Sequence, residues 1–248
     1  MGDEEIKRKR EAFLQQKLKT AHDELASLPR FPITISPEKR KRKTGYEPPT
    51  FSGIIVNGEY DEFIVFDTET TGLTPSKDRV IELAAVRFVG GVPTEVFETF
   101  VNPERPIPPT VTSINHITDD MVANAPTMSQ VLPAFETFVG DCPLVAHNLE
   151  FDLKFMFYSG SSIMDSPRKY FDTLKLAQKM LDKPKYKYDS EEEEWVKDFD
   201  RGYDVHDYKL ETLAEYYNIT FPNKHRAAAD AMVAGKLFLR FIKDKQTS

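Results

Sequence analysis

The segment FIVFDTETTGL, residues 63 to 73, limits what this chain can become more than any other. Four consecutive apolar residues suit a strand, and a run that is unbroken rather than alternating needs cover on both faces. A sheet with helices on either side follows. Directly behind the run stand Asp67 and Glu69. Residues two apart on a strand project to the same side, so both carboxylates can aim at one point beyond a core strand, where either charge alone would be costly to desolvate.

The rest of the chain supplies the layers. RVIELAAVRFV (79 to 89) and TEVFETFVNP (94 to 103), divided by the turn GGVP, read as a hairpin or meander. Thr118 and Asp119 open a short helix before Met121 and Val122, and MSQVLPAFETFVG reads as a helix ending at Gly140. PLVAHN (143 to 148) is a short strand with Asn148 placed to cap the helix LEFDLKFMFY. A strand ending at Phe171 runs into the helix of YFDTLKLAQKML, and YKLETLAEYYNI and HRAAADAMVAGKLFLRFI are amphipathic helices. Strands first and helices later predict an α/β domain with a mixed central sheet. Between the last elements, residues 183 to 207 form an insertion with four consecutive glutamates, expected to be either helical around 191–199 or a mobile lid.

Ahead of this domain, residues 3 to 28 lack Pro and Gly and predict one polar helix. LPRFPITISP, the basic run EKRKRK (38 to 43) and TGYEPPTFSG then read as an extended linker. The division expected is 1–60 as helix and basic linker, and 61–248 as the main domain. The net charge of −7 is uneven: residues 1–60 carry 12 Lys and Arg against 9 Asp and Glu, and the remainder 21 against 31. An acidic body repels polyanions, so a nucleic-acid role needs local basic residues or bound cations. The basic run is open to two readings, a solvated linker or a contact for nucleic acid or an acidic partner. With no long apolar stretch and no apolar leader at the amino terminus, a soluble cytoplasmic protein is expected, without membrane contact. The only cysteine, Cys142, excludes an internal disulfide and a CxxC zinc site, and reads as a small buried hydrophobe.

Two further acidic stations accompany Asp67 and Glu69. In HNLEFD (147 to 152), Asp152 lies in a first helical turn, where free N–H groups stabilise a carboxylate. In HRAAAD (225 to 230), His225 and Asp230 are five apart, about 140° around a helix. His225 is therefore placed on the loop before the helix and Asp230 in its early turns, with the helix's positive end keeping His225 neutral and able to accept a proton. Each station alone has a structural explanation: a turn, a helix start, a surface histidine. Together, four carboxylates from a strand end and two helix starts could converge only with cations among them, and hard oxygen ligands suit Mg²⁺ or Mn²⁺. Two such ions about 4 Å apart are a known arrangement for phosphodiester hydrolysis.

FDTETTGL, HNLEFD and HRAAAD, in this order, resemble the three motifs of the DEDDh, or DnaQ-like, 3′–5′ exonucleases, with the proofreading domains and epsilon subunits of bacterial replicative polymerases as the nearest likeness. The similarity runs over residues 62 to 243 and includes VIELAAVRF, INHITDDMV, FDTLKLA and YKLETLA. It implies an RNase H-like fold and metal-dependent removal of nucleoside 5′-monophosphates from 3′ ends, in repair or proofreading. By the same resemblance Asp67 bridges two ions, Glu69 and Asp230 complete the first ion's ligands, Asp152 holds the second, and His225 is the general base for the attacking water. Thr70, Thr71, Leu73, His147, Asn148 and Phe151 are implied around the terminal nucleotide.

Arg226 stands where a related branch has tyrosine, which favours the histidine branch. His116 replaces a common glycine, and Glu150 a common small residue. Single-stranded DNA ends are the expected partner, RNA ends the alternative, and a DNA polymerase subunit a further partner, since this sequence has no polymerase domain. A role as a polymerase-associated interaction subunit is the expectation from another class.

Overall fold

The computed structural model describes residues 3–53, 60–189, 194–198, 202–222 and 224–247. Strand β1 (Glu62–Thr70) lies at the centre of a five-stranded sheet. It pairs antiparallel with β2 (Val80–Val89), which pairs antiparallel with β3 (Val92–Phe100) through a two-glycine turn. Gly90 and Gly91 both have positive φ, 58° and 78°, as such a tight hairpin requires. On its other side β1 runs parallel to β4 (Leu144–Ala146), and β4 to β5 (Tyr170–Asp172). The order β3-β2-β1-β4-β5 is the mixed sheet expected from the sequence.

The apolar run of β1 is buried on both faces. Phe63 and Val65 face one core, built with Phe88, Val86 and the residues of α8 (Ala227–Thr247), supported by α6 (Thr173–Met180) and α7 (Leu210–Tyr216). Ile64 and Phe66 face a second core, packed by α4 (Met128–Val139) and α5 (Leu149–Tyr158). Short helices α2 (Pro109–Asn115) and α3 (Asp119–Val122) close the edge with Ile107, Ile117 and Val122 on Ile81. Gly235 of α8 sits against Phe88 and Val65 so closely that a Cβ there would fall 2.4 Å from the Phe88 ring. Its missing side chain lets α8 lie directly on the sheet.

Helix α1 (Asp3–Ser27) contacts α8, with Ala21 buried and Lys236 paired to Glu24. Residues 28 to 53 then cross the body in an extended course. Phe31 inserts between Phe97 and Phe138, and its N–H donates to the Val96 carbonyl at 2.8 Å. Arg40 pairs with Glu136, Lys43 with Asp165 at 2.8 Å, and the Ser52 N–H reaches the Tyr170 carbonyl. The segment thus acts as a strap, and part of its basic run is spent on holding it down.

The described part of the insertion overturns the helical expectation. β6 (Lys185–Asp189) and β7 (Glu194–Asp198) form an antiparallel hairpin. The alternation in KYKYD and the aromatic and β-branched residues of EWVKD favour strands. Residues 190–193, with three of the four glutamates, and 199–201 lie outside the described residues. No helix among the described residues is long and apolar enough to cross a membrane.

Candidate active site

The site forms where the polar end of β1 meets the starts of α5 and α8. The odd-numbered residues of β1 face α8, and the parity that buries Phe63 and Val65 there carries Asp67 and Glu69 out at the strand's end. Helix α8 begins at Ala227, so Asp230 lies in its first turn, and His225 precedes it in a left-handed conformation, φ 58°. Ala227, Ala228 and Ala229 are buried, and their small side chains let this turn approach the strand. Ligand atoms of Glu69, His225 and Asp230 lie within 4.8 Å of one another.

Asp152 enters from α5. Its Oδ1 accepts from the Thr68 N–H at 3.0 Å and from the Thr68 hydroxyl at 2.7 Å, which ties α5 to β1 beside Asp67. Burial raises the pKa of all four acids. Asp67 is held well above the usual carboxylate range, by burial first and then by Asp152, Asp230 and Glu69. Burial pushes Asp152 to about 8 against the pull of the Thr68 bonds, and Asp230 to about 8 with Glu69 adding repulsion. Glu69 rises to about 7, moderated by the Asn115 amide at 3.2 Å. These are carboxylates gathered without a neutralising partner for each. Asp230 Oδ1 is buried and has no hydrogen-bond partner. An orphaned oxygen amid repelling acids is what a cation site of hard oxygen ligands needs, so the residues fit a divalent ion.

The structure also shows residues that sequence reasoning missed. Glu82, on β2, lies opposite Glu69 in the strand register and is almost fully buried. It accepts from Arg226 Nε at 3.1 and 3.2 Å and from the Ala227 N–H at 3.0 Å, and so fixes the start of α8. Arg226 also stacks on Phe100. The signal was present, a charge within the apolar VIELAAV. Asp172 is the second. Its Oδ1 caps α6 through Leu174 and Lys175 and accepts the Asn148 N–H at 3.1 Å.

That bond corrects the capping expectation for Asn148. Asn148 occupies the N-cap position, but its φ of 66° turns its side chain away and no cap bond forms. Beside it, His147 Nδ1 meets the Thr173 hydroxyl at 3.0 Å, and burial lowers its pKa to about 4, so it is neutral near pH 7. His147, Asn148, Tyr208, Lys224, His225 and Asp230 line a cavity of about 660 Å³. Phe151 packs on Phe155 at 4.9 Å. Thr70 and Thr71 are buried, and the Thr71 N–H is engaged by the Arg79 carbonyl at 2.8 Å, whereas Leu73 is 83% exposed. His116, where glycine is common, takes the left-handed φ of 59° that glycine adopts freely, and Glu150 is absorbed in pairs with Lys154 and Lys175.

A family description, that of exonuclease domains of the RNase T type, matches residues 64–238. This chain belongs to the DnaQ-like exonuclease family. As a member it is a nuclease, a hydrolytic enzyme. Among curated relatives of the exonuclease, the DNA polymerase III subunit epsilon of Treponema pallidum is 37% identical over 186 residues, covering 74% of this chain and 78% of the relative. The PolC-type DNA polymerase III of Caldanaerobacter subterraneus subsp. tengcongensis is 33% identical over 77% of this chain, which spans only 13% of that protein.

Two solved structures share the fold. One, described as exonuclease X in complex with 5′ overhanging duplex DNA, has a TM-score of 0.54 at 24% identity, covering 73% of this chain and 92% of the other. The other, Escherichia coli exonuclease I with a dT13 oligonucleotide, has a TM-score of 0.57 at 18% identity, covering 75% and 42%. The fold is RNase H-like.

Proposed function

We propose that the protein removes nucleoside 5′-monophosphates from 3′ ends of single-stranded DNA, with two divalent ions, Mg²⁺ or Mn²⁺, in the site. The observation that carries this is the convergence of Asp67, Glu69, Asp152, Asp230 and His225 on one cleft, with the Asp230 oxygen left unpartnered. When bound, the ions supply charge neutralisation and Lewis acidity at the scissile phosphate.

Asp67, Glu69 and Asp230 would hold one ion and Asp152 would contribute to the second, with Thr68 keeping the Asp152 carboxylate aimed at β1. His225, its side chain 47% exposed, sits at the cleft edge with Nε2 3.8 Å from Glu211. There it can take the proton of an attacking water while its backbone is held by the turn into α8. His147 and Asn148 line the cavity wall, and with them Phe151 and exposed Leu73 would meet the terminal nucleotide. Contacts of this kind read no base sequence, so trimming would be non-specific.

DNA is preferred over RNA as substrate because the relatives and the DNA-bound neighbours are named for DNA. The same names support association with a separate polymerase chain and a place in proofreading or repair. The division of the chain into an N-terminal strap and an exonuclease body is part of this proposal. Degradation of 3′-labelled and 5′-labelled strands of DNA and RNA, with Mg²⁺, Mn²⁺ or EDTA, tests it: loss should begin at the 3′ label, require the metal and favour DNA. Undiminished activity in EDTA would sink the reading.

A further inference from the structure

We propose that Arg42, Arg79 and Arg105 form a phosphate-binding cleft that receives the nucleic-acid strand upstream of its 3′ end. This rests on the exonuclease reading and extends it to how the strand is held. The three guanidinium groups come from the strap, from the start of β2 and from the loop after β3, and meet on one turn. Arg42 Nη2 donates to the carbonyls of Pro75 at 2.7 Å and Ser76 at 3.2 Å. Arg79 Nη1 donates to Lys77 at 2.6 Å and Asp78 at 3.0 Å, and Arg105 Nη1 to Lys77 at 3.0 Å. Among the described residues each arginine side chain donates through a single terminal nitrogen, so donors remain for a ligand.

Among the described residues none of the three has a carboxylate within ion-pair distance. The contrast lies within the same basic run, where Arg40 and Lys43 are paired with Glu136 and Asp165. Arg42 is instead near the like charge of Arg79, which together with burial lowers its pKa. Cations drawn together on neutral carbonyls, with exposed Lys77 on the same turn, form a place for an anion. Arginine forks match phosphate oxygens in pairs. A cavity of about 170 Å³ opens between Arg42 and Arg79, lined also by Asn102, Ser129 and the single acid Glu104.

Position identifies the anion as a polynucleotide backbone. Arg79 is tied to the residue that follows β1: its backbone N–H donates to the Thr71 hydroxyl at 3.0 Å. The turn also carries exposed Leu73. Helix α5 carries Asp152 in its first turn and ends at Tyr158, and Ser159 just beyond it lines the cavity with Arg42. From Asp152 to Tyr158 the helix rises about 9 Å, a separation of a few nucleotides from the cleft to the scissile end. On an otherwise acidic body, such a patch supplies the local attraction that a strand requires.

The test uses the full chain and its Arg42→Gln/Arg105→Gln variant, both substitutions at exposed side chains. Binding of a 5′-labelled oligodeoxynucleotide of about 16 nucleotides is measured in EDTA by fluorescence anisotropy between about 50 and 200 mM salt. Hydrolysis of the p-nitrophenyl ester of thymidine 5′-monophosphate, too small to reach the cleft, is followed with Mn²⁺. The variant should bind the strand about tenfold more weakly, with the logarithmic salt slope reduced by about 1.4, roughly 0.7 for each lost contact, and hydrolyse the ester at the wild-type rate. Unchanged affinity and salt slope would overturn the cleft, as would an ester rate that falls as far as binding does. A wild-type chain that hydrolyses neither ester nor strand would refute the exonuclease reading, and the binding comparison would still decide the arginines.

Discussion

Glu69 and Glu82 face each other across the β1–β2 ladder, yet the chain treats them in opposite ways. Glu82 is answered from within, by the Arg226 fork and the first N–H of α8. Glu69 receives one amide contact from Asn115 and only the more distant pull of Arg226, and it stands beside Asp67 and Asp230, which carry the same sign. On the proposed reading, the buried charge that serves architecture is neutralised by the protein, and the one assigned to chemistry is left for a cation from outside. The stability of the protein and its activity therefore draw on adjacent carboxylates in different ways, and the two can be separated by experiment.

The largest effect should come from the unanswered acid beside Glu69. Asp67→Ala should lower the nuclease rate about ten-thousandfold, roughly 5 kcal/mol of barrier, with the folded state kept by circular dichroism. A rate within tenfold of wild type would erase the contrast. Next, Arg226→Ala leaves Glu82 buried without its partner and should cost about 3 kcal/mol in denaturant unfolding. An equal cost from Glu69→Ala in metal-free buffer would show that the two glutamates are equivalent.

Third, Mg²⁺ at about a hundred times its Kd should stabilise the wild type by about 2.7 kcal/mol and leave Asp67→Ala almost unmoved, read as a shift in Tm. Metal-free stability should also vary with pH. Asp152 and Asp230 titrate at about 8 and Glu69 at about 7 when folded, against about 4 unfolded. Above about pH 4 the folded chain retains protons that the unfolded chain has released, so stability declines from about pH 4 and levels off once the folded groups have ionised, above about pH 8. Saturating metal should flatten that decline. The smallest effect is that of Thr68→Val, which removes one hydroxyl bond to Asp152 and should cost about 1 kcal/mol, with a few-fold change in rate.

Much of the candidate site's placement was legible because it follows chain geometry. Period-two placement puts Asp67 and Glu69 on one side of β1, and helix starts carry Asp152 and Asp230. The sheet and its two helical layers followed from the unbroken burial of Phe63 to Phe66. What stayed hidden depends on partners distant in sequence. Glu82 gains its meaning from Arg226, 144 residues later, and Phe31 from Phe97 and Phe138. Asn148 misled because its residue type suits a cap, whereas at its φ of 66° the side chain makes no cap bond and only its N–H is engaged, by Asp172. In the insertion, acidic composition suggested a helix, and cross-strand pairing of Tyr186 with Lys197 gave a hairpin instead.

Gly235 gives the site its tolerance. It lies five residues beyond Asp230, about 7.5 Å along α8, and presses the helix backbone onto Phe88 and Val65. The depth at which Asp230 meets β1 is thereby gauged by contact between a backbone and an aromatic ring. A single added methyl at that point would act as a shim, lifting the helix and widening the gap among the carboxylates. On the proposed reading, the width available to an ion is set by an apolar contact on the far side of the helix turn.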